Sequence, residues 1–145
     1  MSLNSLHLIA SCLALVTLTA IVGVLMLFTR VSEMRRKRIH PQAAATSALM
    51  ATRLENVQPA DSFRNLFEVP VLFYALVAIA VATKHVPGWL VTCAWLYVVL
   101  RVLHSAIHCS YNKVYHRLAA FMASFGLLIG MWVYFSFSLA AASAV

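Results

Sequence analysis

Acidic side chains are almost missing from this sequence: Asp and Glu number 4 in 145 residues against 11 Lys and Arg, and charged residues of both signs make up only 10%. So little charge, with 63% of the residues hydrophobic, is far from the balance of a water-soluble domain. At this length the chain is one domain, and it needs lipid as its solvent. The excess of +7 falls mostly in two loops rather than on a continuous basic face, which argues against a nucleic-acid surface. Cysteine is scarce as well. Cys12, Cys93 and Cys109 lie within or at the ends of apolar runs without paired spacing, so they read as small buried hydrophobes, and neither a disulfide nor a zinc site is expected. The chain shows no internal repeat.

No Lys or Arg precedes the first apolar stretch, so a cleaved signal peptide is not expected, and Leu6 to Phe28 reads as a span. Its roughly 23 uncharged residues, at about 1.5 Å each, cross a hydrocarbon core of about 30 Å. Arg30, Arg35, Arg36, Lys37 and Arg38 follow it, and the positive-inside rule places that end in the cytoplasm and the N-terminus outside. From His40 to Ala60 no apolar stretch is long enough to span, and the segment reads as a cytoplasmic loop. The second span is expected over 62–83, with Asp61 or Ser62 as its N-cap after Pro59. Pro87 and Gly88 make a tight external turn, and a third span covers 89–108 with Trp89 and Trp95 as interfacial anchors. Asn112, Lys113, His116 and Arg117 bring the chain back to the cytoplasmic side. The fourth span, 118–140, holds Gly126 and Gly130 at GxxxG spacing, a pattern expected to serve close helix packing. The predicted fold is therefore all-α: an integral membrane four-helix bundle, with both termini outside.

Charge inside a span costs about 2.5 to 3.5 kcal/mol, so Glu68 and Arg101 require a partner or a wet cavity. Measured from the turn at Lys84 to Pro87, they lie about 24 and 21 Å deep on adjacent antiparallel helices, and they are expected to meet. Around them Asp61, Arg64, Asn65 and Glu68 recur every three or four residues, as do Arg101, His104, Ser105, His108 and Asn112, so one face of each helix is polar. Two readings stand side by side: a buried network that fixes helix register, or a pocket for an anionic, partly apolar ligand. His104 and His108 have the spacing of a metal pair with Glu68 as third ligand, but no metal is expected. Asp61 reads as a helix cap rather than a catalytic acid.

These stripes resemble the MAPEG family, the membrane-associated proteins of eicosanoid and glutathione metabolism. The resemblance rests on Arg64-Asn65-Leu66-Phe67-Glu68 with Pro70, on Arg101-Val102-Leu103-His104 continuing to Arg117, and on the basic Arg35-Arg36 segment after the first span. It implies a homotrimer that binds glutathione between neighbouring subunits near the cytoplasmic face. By the same resemblance Asn65 and Glu68 hold the amino and amide groups of the peptide, and Arg64 and Arg101 help bind its carboxylates. His104 and His108 line the site. Arg117 matches the arginine that stabilises the glutathione thiolate, with Arg35 or Arg36 as a further candidate. A guanidinium beside a thiol lowers its pKa, and the thiolate is the nucleophile. Three positions depart from the glutathione-using pattern. Asp61 stands where an arginine is usual, His108 replaces a tyrosine, and Leu118 follows Arg117 where a prostaglandin synthase has serine. The implied function is a glutathione-dependent transferase or peroxidase acting on lipophilic electrophiles in the bilayer. The alternative is a non-catalytic, trimeric lipid-binding or scaffold protein of the same fold. Compact loops and the absence of retention signals point to a bacterial inner membrane.

Overall fold

The computed structural model describes residues 2–44, 46, 49 and 52–143. Helix α1 runs Leu3–Arg36, α2 Gln58–Glu68, α3 Pro70–Ala82, α4 Gly88–Cys109 and α5 Val114–Ser143, with a short 3-10 turn at Pro41–Ala44. Among the described residues there is no strand. Together α2 and α3 make one 25-residue span, Gln58–Ala82, and four helices are long and apolar enough to cross a membrane. The expected loop from His40 to Ala60 is described only in part, since 45, 47, 48, 50 and 51 lie outside the described residues.

Helix α1 is longer than its apolar run. Its 34 residues extend about 51 Å, well past a core of about 30 Å. Ser2 caps it by accepting from Ser5 N. At the other end the backbone turns over in a Schellman motif: Arg38 N donates to Arg35 O at 3.2 Å and Ile39 N to Met34 O at 2.9 Å. Arg38 itself takes a left-handed conformation at φ 52°, which costs a non-glycine residue about 1 kcal/mol or more.

Just inside that turn sits Glu33, only 3% exposed. Its two carboxylate oxygens accept from Glu55 N at 2.7 Å and Asn56 N at 3.2 Å. Lys37 pairs with Glu33 at 2.8 Å and with Glu55 at 2.9 Å, and it donates to Arg53 O at 3.3 Å. The Glu33 and Glu55 carboxylates hold the Lys37 ammonium above its ordinary pKa. This clamp ties the approach to α2 against the end of α1. Glu33→Ala is expected to cost about 2 kcal/mol, because two backbone donors lose a charged acceptor. It is also expected to speed tryptic cleavage after Arg53, and equal cleavage of both proteins overturns the assignment.

The second span begins earlier than its sequence suggests. Neither Asp61 nor Ser62 caps it: the N-cap is Val57 and Pro59 lies in the first turn. A proline there is already fixed near helical φ and gives up only an N–H that would have no intrahelical partner. Asp61 falls inside the first turn, favoured by the helix dipole. At Val69–Pro70 the span breaks, because proline cannot donate to Leu66 O.

An apolar core fills the half of the bundle nearer the Lys84–Pro87 turn. It comprises Leu8 and Leu15 from α1, Phe73, Leu76, Val77 and Ala80 from α3, Leu90, Ala94, Tyr97 and Val98 from α4, and Leu128, Met131 and Phe135 from α5. Phe73 and Tyr97 stack at 4.8 Å between ring centroids. Within this chain the GxxxG glycines serve no close packing: a Cβ on Gly126 or Gly130 would meet nothing within 4 Å. Close approach occurs instead at Gly23, where a Cβ would lie 2.9 Å from the Phe63 ring.

Candidate functional site

The opposite half of the bundle is polar. Three helix segments supply it: the one-turn spacing of Asp61, Arg64, Asn65 and Glu68 on α2, the buried face of α4, and the first turns of α5. Between them opens a pocket of about 430 Å³ lined by Asp61, Arg64, Asn65 and Glu68, by His104 and His108, and by Val114, Arg117, Leu118 and Phe121. Six of the candidate ligand-binding and catalytic residues, Arg64, Asn65, Glu68, His104, His108 and Arg117, therefore share one cavity, with Asp61 beside them. Arg101, fully buried, lies outside its lining. Arg35 and Arg36 also lie elsewhere in this chain: Arg35 lines a separate pocket with Arg38, and Arg36 lines another beside Glu33.

Arg101 does not pair with Glu68. The ion pairs among the described residues are those of Lys37, and the Arg101 guanidinium turns to Asn65 instead. Its Nη2 donates to Asn65 Oδ1 at 2.5 Å and to Asn65 O at 3.3 Å, in the last turn of α2, where a cation meets the negative end of the helix dipole. The side-chain amide that lines the pocket is thus oriented from behind by a buried cation. Glu68 stays exposed on the pocket side.

Two hydrogen bonds fix the histidine tautomers. His104 Nδ1 lies 3.2 Å from Arg117 O, and a carbonyl only accepts, so Nδ1 carries the proton and Nε2 keeps a lone pair. Arg117 Nη1 donates to His108 Nε2 at 3.0 Å and to Asn112 Oδ1 at 2.9 Å, so neutral His108 carries its proton on Nδ1. Beneath the pocket, Ser62 Oγ, Tyr97 Oη, Arg101 Nε and Nη1, His104 Nε2, Ser105 Oγ and His108 Nδ1 are buried without a hydrogen-bond partner among the described residues. The N–H and O–H groups among them call for an acceptor, and His104 Nε2 for a donor; ordered water can serve either. His104 and His108 stand 5.7 Å apart between ring centroids, and no group of three His, Cys, Asp or Glu side chains able to hold a metal ion occurs among the described residues.

The sequence reading did not single out Val114 and Phe121, and named Leu118 only as a departure from the family pattern; the three form an apolar wall beside the charged one. Their signal was present: with Arg117 they recur every three or four residues at the start of α5. That helix begins at Val114, four residues earlier than expected, so Arg117 lies in its first turn. The guanidinium and the positive end of a 30-residue helix therefore favour negative charge at the same spot.

Helices of this length around a half-polar interior define an integral, multi-pass membrane protein with a polar pocket at one end of its bundle. Within that class the chain belongs to the MAPEG family, whose family model matches residues 8–137. The family is one of four-helix membrane bundles that includes glutathione transferases and peroxidases beside other members. No curated protein and no solved structure matches the chain.

Proposed function

We propose that the Asp61–Phe121 pocket binds glutathione as a substrate, and that the protein is a glutathione-dependent transferase or peroxidase acting on lipophilic electrophiles that reach it through the bilayer. The observation that carries this reading is the convergence of Arg64, Asn65, Glu68, His104, His108 and Arg117 on one cavity that also has an apolar wall. Cations and an amide suit a peptide with carboxylates, and Val114, Leu118 and Phe121 suit an apolar second substrate. Arg64 takes a carboxylate, Asn65 and Glu68 take amide and amino groups, and Arg101 acts as a positioning residue through Asn65. Arg117 stabilises the thiolate. In the transferase reaction a carbon–sulfur bond forms as the leaving group departs with its electron pair. In this reading the protein works as a homotrimer in a bacterial inner membrane, basic loops toward the cytoplasm and both termini outside. Arg35 and Arg36, remote from the pocket of their own chain, then face that of a neighbouring copy.

Calorimetry of the detergent-purified protein tests the binding. Glutathione is expected to bind, and Arg64→Ala to weaken it by about 1.5 to 3 kcal/mol, roughly tenfold or more. No heat at millimolar glutathione rejects the proposal. A second reading, a non-catalytic lipid-binding or scaffold protein, is favoured by two observations: Arg117 is already engaged by His108 and Asn112, and Asp61 places a carboxylate in the pocket. Binding without a thiolate signal selects this second reading.

A further inference from the structure

Arg117 lines the pocket with one end of its guanidinium already held. Nη1 carries two hydrogens, and two acceptors take them: His108 Nε2 at 3.0 Å and Asn112 Oδ1 at 2.9 Å. Nε and Nη2, which share another edge of the planar group, make no hydrogen bond among the described residues. Asn112 is itself fixed by the backbone. It takes the left-handed conformation at φ 45°, and its N–H donates to Ile107 O at 3.0 Å. Asparagine tolerates that conformation better than most residues with a Cβ. The end of α4 thus grips Arg117 by a single nitrogen and leaves the Nε–Nη2 edge free.

The two histidines that hold Arg117 answer acid differently. His104 donates from Nδ1 to Arg117 O, so a proton added at its Nε2 leaves that bond in place. His108 accepts at Nε2, so a proton added there sets two donors and two positive charges face to face at 3.0 Å. The contact exists only while His108 is neutral. Asp61, Arg64 and Glu68 share its cavity from α2 and Arg117 from α5, while Arg101 and His104 stand about two turns and one turn away on α4 itself. None of these groups can take over as the acceptor for Nη1 without leaving its own place in the wall, because Asn112 Oδ1 already serves the second hydrogen.

We infer that His108 is a positioning residue with an acid-sensitive lock: when neutral it holds Arg117 with the Nε–Nη2 edge free for the substrate's sulfur, and when protonated it lets the guanidinium go. Its bearing on catalysis rests on the glutathione reading of this same pocket, whereas the lock exists in the glutathione-free protein. Acid then acts twice. Release of Arg117 removes the partner of the thiolate, so one proton enters on His108 and a second on sulfur, and the two titrations are coupled. A histidine that merely filled the pocket wall would have no such link to the sulfur.

Nuclear magnetic resonance of the full chain in detergent, with isotope-labelled arginine and histidine and no glutathione, tests the lock. The Arg117 Nε–H signal, identified by its loss in Arg117→Lys, is expected to shift in one step as pH falls. The His108 ring signals should titrate at the same midpoint, a check that needs no variant at His108. In His108→Gln the step should vanish, because the side-chain carbonyl still accepts but does not titrate, whereas His104→Gln should keep it. Added glutathione then reads the consequence. At the acid end the thiolate absorbance of the unaltered protein should fall about a hundredfold per pH unit, and that of His108→Gln about tenfold, whatever its height at neutral pH. Four outcomes overturn the lock: no Arg117 step, a step at a midpoint different from that of His108, a step that persists in His108→Gln, or equal acid slopes. Glutathione that fails to bind while the step is intact overturns the proposed function instead and leaves the lock standing.

Discussion

Arg117→Ala is expected to abolish the ultraviolet thiolate absorbance that glutathione acquires on binding and to lower kcat/KM by about 10² to 10³-fold, while glutathione affinity changes far less. The size follows from the role. A preorganised donor aimed at developing negative charge is commonly worth that much, and removing it affects the charged sulfur rather than the peptide backbone of the substrate. Arg117 is preorganised by its neighbours: His108 Nε2 and Asn112 Oδ1 accept from the same Nη1, and its own carbonyl accepts from His104. The first turn of α5 adds the positive end of the helix dipole. Arg117→Lys keeps the charge but loses the fork, so partial absorbance with poor turnover is expected. An undiminished thiolate signal in Arg117→Ala removes Arg117 from the chemistry, and glutathione affinity lost in step with activity makes it a binding residue only.

How much of this was legible in the sequence depends on which coordinate of a helix a residue pattern reports. Spacing of three and four reports a face, and it correctly grouped Asp61, Arg64, Asn65 and Glu68, and His104 with His108, on what became one cavity wall. Uncharged length reports a span, and four helices follow the four apolar runs, with α1 running on to Arg36 because nothing in its basic turn breaks a helix. Depth along the axis can be counted, but rotation about it cannot. Counted from the outer turn Glu68 and Arg101 fall at similar depth, yet the guanidinium meets Asn65, three residues earlier and about 60° around the helix. The break at Val69–Pro70 separates those residues from the outer turn that served as the ruler. Small residues misled for a related reason: GxxxG spacing marks a smooth helix face without saying what touches it, and Gly126 and Gly130 face no side chain of their own chain, whereas the isolated Gly23 lies against Phe63. Glu33 carried only its four-residue spacing to Lys37. Its partners, Glu55 N and Asn56 N, are backbone groups more than twenty residues away, and only the fold brings them together.

Asn65→Leu should be the most destabilising single change at the site, costing about 3 kcal/mol or more in reversible unfolding in mixed micelles. Arg101 is fully buried among Tyr97, His104 and Ser105, two of its nitrogens already lack an acceptor, and Asn65 supplies its only side-chain partner among the described residues. Removing that amide oxygen leaves a buried cation with one backbone carbonyl, and stranding a buried charge is far more costly than removing the whole polar pair. Arg101→Met should therefore cost less than Asn65→Leu, and the double variant should be less unstable than the sum of the two by at least about 1 kcal/mol. Glu68 provides the control. It points into the pocket and makes no ion pair with Arg101, so Glu68→Gln combined with Arg101→Met should deviate from additivity by less than the Asn65 cycle does. The reverse ordering of the two couplings would return Glu68 to the role its depth first suggested and make the Asn65 contact incidental. The predicted ordering makes the buried arginine a support for the pocket wall, so that Arg101→Met should also weaken glutathione binding through a misplaced Asn65 amide, without the guanidinium ever touching the substrate.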